Sequence, residues 1–128
     1  MSSQATGEHS SGEELAIACA RAAADLKGEN IRVLDVKGLS TLTDYMVLCT
    51  GNSQPHLKAV IRDIEKQVRA ENAASPHQSE GKSNTRWVVL DYVDVMVHVM
   101  LEDARELYAL EDLWGDARDI QWEDADED

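Results

Sequence analysis

The residues best suited to catalysis in this chain are two carboxylates, in the sequence Asp91-Tyr-Val-Asp94. Two carboxylates at one end of a sheet can hold magnesium for phosphoryl transfer. However, Asp91 and Asp94 flank a predicted tight turn at Tyr92-Val93, where aspartate is common because its side chain bonds the local backbone. Their three-residue spacing also places them on opposite sides of the turn. The pattern therefore favours a turn over a magnesium site.

Other sequence motifs give little support for an enzyme. Neither G-x-G-x-x-G nor G-x-x-x-x-G-K-[ST] occurs. The segment Thr50-Gly-Asn-Ser53 is able to cradle a phosphate at a helix N-terminus, but a capped strand-to-helix turn explains it without a ligand. The four histidines show no i, i+4 pairing, and neither cysteine lies in a C-x-x-C motif. We therefore expect no enzymatic activity, no cofactor and no metal site.

Composition points to one acidic domain of 128 residues with a formal net charge of -13. An acidic surface disfavours direct binding to nucleic-acid phosphates, which requires clustered Lys and Arg, and suits either a basic protein partner or solubility. No apolar run reaches the ~20 residues that span a membrane, and the first ten residues do not resemble a signal peptide. Cys19 and Cys49 fall in predicted regular elements and are expected to be buried, reduced thiols. These features predict a cytoplasmic protein.

Hydrophobic periodicity predicts an α/β (α+β) fold, with a mixed sheet of about five strands and helices mainly on one face. The predicted elements in chain order are a helix from Glu13 to the stop at Gly28, strands Ile31–Val36 and Tyr45–Thr50, a helix capped by Ser53, a short extended piece near Ser79-Glu80, a hairpin of Arg86–Asp91 and Asp94–Met100, and a helix Glu102–Leu110. Residues 1–12 are expected to be disordered and residues 13–115 to form the domain. Residues 116–128 are expected to be a solvated acidic tail that folding does not require.

The second strand of the hairpin suggests an interaction surface. Val95, Val97 and Val99 share one strand face and belong to the core. The opposite face presents Asp94, Met96, His98 and Met100, with Trp87 expected on the neighbouring strand. This face is either an exposed patch of mixed polarity, as in interaction sites, or it is covered by the final helix or a dimer partner. Periodicity leaves both possibilities open.

Several separated motifs occur in a characteristic order: Leu34-Asp-Val-Lys-Gly-Leu-Ser-Thr-Leu-Thr-Asp-Tyr45, Cys49-Thr-Gly-Asn-Ser53, Glu80-Gly81, Trp87-Val-Val-Leu-Asp-Tyr-Val-Asp-Val-Met-Val-His98 and Arg105-Glu-Leu-Tyr-Ala-Leu-Glu-Asp-Leu-Trp114. Together these motifs resemble the Iojap family of ribosomal silencing factors (RsfS). The resemblance implies a fold like that of nucleotidyltransferases without their active site. It also implies binding to protein fourteen of the large ribosomal subunit, which blocks joining of the small subunit and lowers translation when nutrients are limiting. Homodimers are a further implication.

The same resemblance implies a partner-binding surface on the open sheet face and the last helix. Matching positions are Trp87, Met100 and Tyr108, while Asp94 and His98 also match family positions and Met96 is added from the strand face. Three positions depart from the usual family pattern: Gln54-Pro55-His56 replaces an arginine-containing helix start, Val93 stands at a usual glycine, and Met100 replaces phenylalanine. The alternatives are a nucleotide-binding or transferring enzyme using Asp91, Asp94 and the Ser53 turn, or a general assembly adaptor with an unrelated basic partner.

Overall fold

One mixed sheet organises the part of the chain that the computed structural model describes, residues 12–72, 74–76, 78–80 and 86–123. The six strands in this part have the order β3-β4-β5-β2-β1-β6. They are β1 (Glu29–Asp35), β2 (Tyr45–Gly51), β3 (Gln78–Glu80), β4 (Trp87–Asp91), β5 (Val95–Leu101) and β6 (Arg118–Asp119). The helices are α1 (Gly12–Asp25), α2 (Gln54–Asn72), α3 (Glu102–Tyr108) and α4 (Leu110–Leu113). The predicted mixed α/β class is confirmed, and β6 adds one strand to the expected five.

The centre of the sheet is the parallel pair β2 and β5, which runs in register from Tyr45 opposite Val95 to Gly51 opposite Leu101. All seven residues of β2 are buried, as expected for an uninterrupted apolar run covered on both faces. The other four strand pairs are antiparallel. Because β2 continues into α2 and β5 into α3, the two helices leave neighbouring strands at the same end of the sheet.

The two long helices cover one face of the sheet. α2 buries the predicted apolar stripe, which consists of Leu57, Val60, Ile61, Ile64 and Val68. α1 contributes mainly alanines and Cys19, all without solvent exposure, and these small side chains allow the helix to approach the sheet closely. The three valines of β5 meet both helices here and are fully buried, as predicted. Each fully buried Val, Leu or Ile side chain contributes roughly 1.5–3 kcal/mol to stability.

The segment Gln54-Pro55-His56 forms the start of α2, where His56 takes part in three hydrogen bonds. The Ser53 hydroxyl accepts a hydrogen bond from the His56 amide at 3.1 Å, so Ser53 is the predicted N-cap. The His56 ring adds two bonds: Nδ1 accepts from the Asn52 amide at 3.0 Å, and Nε2 lies 2.6 Å from the Leu26 carbonyl oxygen. A carbonyl only accepts, so Nε2 carries the proton. His56 thus ties the turn before α2 to the end of α1.

The opposite face is covered by the two short helices. Its apolar cluster consists of Leu34, Val36, Met46, Leu48, Met100, Ala104 and Leu110, with Trp87, Trp114 and Ala117 packed against it. The final helix does not continue to Leu110 as expected, because Ala109 adopts a left-handed conformation with φ 45° and ψ 52°. The chain turns at Ala109 and resumes as α4, which brings Leu110 onto the sheet.

The expected domain boundary at Gly115 is too early. Residues Arg118–Asp119 pair with β1, and the Ile120 amide donates to the Val33 carbonyl at 2.8 Å. Ile120 is buried in the same core as α1 and α2, and Trp122 packs against that core. The described domain therefore continues to Glu123. The expectations for residues 1–11 and 124–128 lie outside the described residues, while Gly12 already belongs to α1.

Two further expectations concern the cysteines and the membrane. Cys19 and Cys49 are free and buried, and burial raises the pKa of Cys19 to about 12 and that of Cys49 to about 11. Both thiols are therefore protonated at neutral pH. Within the described ranges, no helix has the length and apolar character required to cross a bilayer.

Candidate functional site

Three rings meet where β4, β5 and α3 adjoin, and we call Trp87, His98 and Tyr108 the aromatic cluster. The centroid of the Trp87 ring lies 4.7 Å from that of Tyr108 and 5.8 Å from that of His98, with tilts of 45° and 46°. The Trp87 Nε1–H donates a hydrogen bond to His98 Nδ1 at 3.0 Å. The sheet register produces this arrangement, because Trp87 lies opposite Met100 and therefore diagonal to His98 on the same face.

His98 is almost completely enclosed, with 6% of its surface exposed. Burial lowers the pKa of His98 from 6.5 to about 4, so the imidazole is neutral at neutral pH. With Nδ1 accepting from Trp87, the ring proton is on Nε2. This buried Nε2 has no hydrogen-bond partner among the residues that the structure describes. His98 therefore acts as an acceptor toward Trp87 and leaves its own donor unpaired.

The predicted exposed patch on β5 is only partly present. Met100 is fully buried beneath α3, where it packs in one cluster with Ala104 and Trp87, so it does not belong to an exposed face. Met96 is half-buried and Asp94 is exposed. The open choice between an exposed face and one covered by the final helix is thus resolved in favour of coverage at Met100 and His98.

An exposed apolar surface lies on the short helices instead. We define the α3 surface as Leu107, Tyr108 and Leu113, whose exposed fractions are 75%, 52% and 67%. The exposed acids around it are Glu102, Asp103, Glu106 and Asp112. Sequence reasoning identified Tyr108 but not the two leucines. For Leu107 the sequence did contain an indication of exposure, because Leu107-Tyr-Ala-Leu110 has more large apolar residues than one helix face can bury.

A buried arginine holds α3 and α4 on the sheet. Arg105 is 7% exposed. Its Nη1 donates to Thr50 Oγ1 on β2 at 2.9 Å and to the carbonyl of Asn30 on β1. Its Nε and Nη2 lie 3.1 and 3.0 Å from Glu111 Oε2 on α4. Sequence reasoning gave Arg105 no role, because nothing in the local pattern shows that it faces inward.

The candidate catalytic residues do not converge on a site. The Asp91 Oδ1 accepts a hydrogen bond from the Val93 amide at 2.8 Å, which confirms the turn interpretation, and Val93 has a positive φ of 77°, a conformation that favours glycine. Asp94 is exposed, and its carbonyl accepts the amides of Asp44 and Tyr45. Both carboxylates lie at the opposite end of β5 from Ser53, and no group of three or more potential metal-ligating residues occurs in the described part of the chain.

Comparison with known proteins identifies relatives over most of the chain. A family model described as ribosomal silencing factor during starvation (RsfS) matches residues 9–128. The ribosomal silencing factor of Bacillus subtilis is 44% identical over 98 residues, which cover 77% of this chain and 82% of that protein. The one from Halalkalibacterium halodurans is 37% identical over 113 residues, which cover 88% and 96%. The mouse protein named mitochondrial assembly of ribosomal large subunit protein 1 is 35% identical over 94 residues, which cover 70% and 41%.

Solved structures show the same fold. A crystal structure of a Chromobacterium violaceum protein superposes with a TM-score of 0.78 at 31% identity and covers 91% of this chain and 97% of that chain. A Bacillus halodurans crystal structure gives a TM-score of 0.72 at 32% identity, with coverage of 84% and 97%. Because the family model spans nearly all residues and the two bacterial silencing factors match along most of their own length, the chain belongs to the ribosomal silencing factor (RsfS) family.

Proposed function

We propose that the chain represses translation by binding protein fourteen of the large ribosomal subunit and thereby blocking the small subunit from joining, which lowers translation under nutrient limitation. Family membership supports the ribosome as the partner. The resemblance described above suggests the subunit and the protein. The binding surface in this proposal combines the α3 surface with Trp87, Met96 and Asp94, while His98 and Met100 lie underneath.

The observation that carries the proposal is the exposed α3 surface and its acidic rim. Three large apolar side chains are exposed on the two short helices instead of being buried in the core. Residues 102–112 contain five acids and Arg105, a net charge of -4. Interfaces commonly have such an apolar and aromatic centre with a polar rim. An acidic rim favours a partner with a basic surface.

The proposed mechanism is steric occupation and involves no chemical step. A protein that occupies the joining face of the large subunit lowers the number of subunits available, so inhibition should follow the bound fraction. Nucleotide should have no effect, because the Ser53 hydroxyl already caps α2 and Asp91 already closes its turn. This distinguishes the proposal from the alternative of a nucleotide-binding or transferring enzyme.

The test mixes purified large and small ribosomal subunits with increasing amounts of the protein and follows joining by light scattering. We expect joining to fall in proportion to the fraction of large subunits bound, as measured by sedimentation. Addition of magnesium and nucleotide should change neither joining nor the melting temperature, whereas a ligand at 100 times its Kd would stabilise the protein by about 2.7 kcal/mol. Normal joining at saturating occupancy would refute the steric mechanism even if binding were observed.

A second candidate function is participation in assembly of the large subunit. The observation that favours it is the printed name of the mouse relative, which describes assembly of the ribosomal large subunit. Gradient profiles of cells depleted of the protein separate the two functions. Depletion should leave mature large subunits at normal levels if the protein only blocks joining, whereas accumulation of precursor particles would indicate assembly.

The resemblance also suggests a homodimer. Sedimentation of the isolated protein measures whether this homodimer forms.

A further inference from the structure

We propose that His98 is a positioning residue, which fixes the orientation of the Trp87 indole within the partner-binding surface and does not itself contact the partner. This inference rests on the proposed function for its effect on binding. It assigns His98 a role different from the direct contact suggested by its place on the strand.

The geometry supports an orienting role for three reasons. An indole has a single donor, Nε1–H, and here it is directed at His98 Nδ1 at 3.0 Å. The Tyr108 ring packs on the same indole with centroids 4.7 Å apart. A hydrogen bond on one side and a ring on another restrict both side-chain torsions of Trp87. A half-buried tryptophan held in this way loses less rotational freedom when a partner binds, which favours affinity.

The protonation state of His98 suits the same role. Enclosure keeps the ring neutral, so Nδ1 is available as an acceptor. The Nε2–H has almost no solvent contact, so a protein bound on the surface does not reach it. An unpaired buried donor is unfavourable for folding. The role of the histidine is therefore to accept the hydrogen bond from Trp87, because its unpaired donor does not stabilise the fold.

This arrangement makes stability and binding respond differently to substitution. His98→Leu removes the unpaired Nε2–H together with the acceptor of the Trp87 Nε1–H. The gain from the first change and the loss from the second offset each other, so the melting temperature should change little. The less constrained Trp87 indole should then weaken binding to protein fourteen about three- to tenfold, the effect of one side chain that must be ordered on binding. His98→Asn retains an acceptor near the position of Nδ1 and should restore most of the affinity. A residue with only a structural role would lose stability and affinity in parallel.

The orientation itself is measured by NMR on the full chain without any ribosomal component. In the wild type we expect His98 to be neutral with the proton on Nε2, and the indole N–H of Trp87, assigned with a Trp87→Phe variant, to exchange slowly with solvent. His98→Leu should accelerate that exchange at least several-fold, and His98→Asn should slow it again. An Nδ1-protonated ring, or an unchanged indole signal in His98→Leu, would overturn the positioning role.

The binding measurement uses protein fourteen as the ligand and Leu34→Met as the matched control. Leu34 is buried on the same sheet face as Met100, but it lies on β1, which β2 separates from β5. The control should bind like the wild type. Equal affinities of His98→Leu and wild type would show that orientation of Trp87 does not matter for binding. If the wild type fails to bind protein fourteen, the proposed function is wrong, and the indole exchange rates still decide whether His98 positions Trp87.

Discussion

Trp122 donates its indole N–H to the carbonyl oxygen of Ile31, at 3.2 Å and across 91 residues of sequence. The Trp122 carbonyl in turn accepts a hydrogen bond from Arg21 Nε on α1 at 2.9 Å. These bonds, with the buried Ile120 beside them, attach the last described segment to both β1 and α1. The segment after Gly115 is thus part of the domain, although its composition is that of an acidic tail.

Truncation should reveal this contribution directly. A chain that ends at Gly115 loses β6, Ile120 and Trp122, and exposes the apolar surface that they cover. Burial of two large side chains is consistent with a loss of about 3–5 kcal/mol in the free energy of unfolding. Urea denaturation followed by circular dichroism measures the loss. A chain that ends at Glu123 is the control and should match the full-length protein, whereas equal stability of both truncations would mean that the segment does not contribute.

Tyr108→Ala is the most direct test of the α3 surface. Tyr108 is half exposed, so its removal should lower the free energy of unfolding by less than about 1 kcal/mol. As an aromatic residue at the centre of the proposed interface, it should contribute about 2 kcal/mol to binding protein fourteen, roughly thirtyfold in Kd. Calorimetric titration provides the affinity. Trp87→Ala is less informative, because Trp87 also packs in the buried cluster and its loss should reduce stability as well.

Leu42→Ala is the matched control for this measurement. Leu42 is a large exposed apolar residue, with 73% of its surface accessible, but it lies in the β1–β2 connection and not on the short helices. It should leave the affinity for protein fourteen unchanged. A weakening comparable to that of Tyr108→Ala would place the binding surface elsewhere, at the end of the sheet near Leu42.

The parts of the fold that sequence alone predicted are those with a repeating apolar pattern. The α2 stripe and the three valines of β5 are buried because each series follows the period of its element. The Ser53 cap was predictable because its side chain acts within three residues of its own position. In each case the physical cause is local in sequence.

The features that sequence reasoning missed depend on distant contacts or lack a local signal. Ala109 ends α3 because it adopts a positive φ, a conformation that normally favours glycine. β6 has two charged residues and is stabilised by the ion pairs Arg32–Asp119 and Arg118–Asp35, whose partners are more than 80 residues apart. The Arg105 side chain points inward because it donates hydrogen bonds to Thr50 on β2 and Asn30 on β1. No pattern of residues within a single segment predicts these contacts between distant parts of the sequence.

Arg105→Ala should be among the most destabilising substitutions in the chain. It removes the bonds to Thr50 and Asn30 and leaves the partly buried Glu111 carboxylate without its cation. Loss of one partner of a buried ion pair typically lowers stability by about 3–5 kcal/mol. Arg105→Lys should recover only part of this, since an ammonium cannot reproduce the planar set of donors. Thermal unfolding monitored by circular dichroism provides the comparison.

Arg86→Ala provides the contrast, because Arg86 forms an exposed ion pair with Asp103 at 3.0 Å. Exposed pairs of this kind contribute about 0–1 kcal/mol. Both variants remove an arginine that forms an ion pair with an acid on the short helices, one pair exposed and the other buried. Similar stability losses for both would mean that the Arg105 bonds do not anchor the short helices.

Acidification should destabilise the protein through His98. Its pKa is lowered from 6.5 to about 4 by burial in the fold, so between these values the unfolded chain binds a proton that the native state does not. Titration of His98 leaves the stability unchanged above pH ~6.5, and below this value the stability falls as the pH approaches ~4, by about 3 kcal/mol in total. Because carboxylates titrate in the same range, the measurable quantity is the difference in pH dependence between wild type and His98→Leu. Parallel stability curves for the two proteins would show that His98 is not buried as described.

Charge around the α3 surface should control the rate of association more than the lifetime of the complex. Exposed acids attract a basic partner over a range of ~8–10 Å, which salt screens, whereas the desolvated contacts of Tyr108 and Leu107 are largely unaffected. Higher salt should therefore slow association with protein fourteen and change dissociation little, as measured by surface plasmon resonance.

Glu106→Gln should slow association about two- to threefold at low salt, because it removes one attractive charge from the rim. The control Glu71→Gln removes an exposed charge from α2 on the other side of the sheet. A similar effect of both variants would attribute the attraction to net charge and not to the α3 surface.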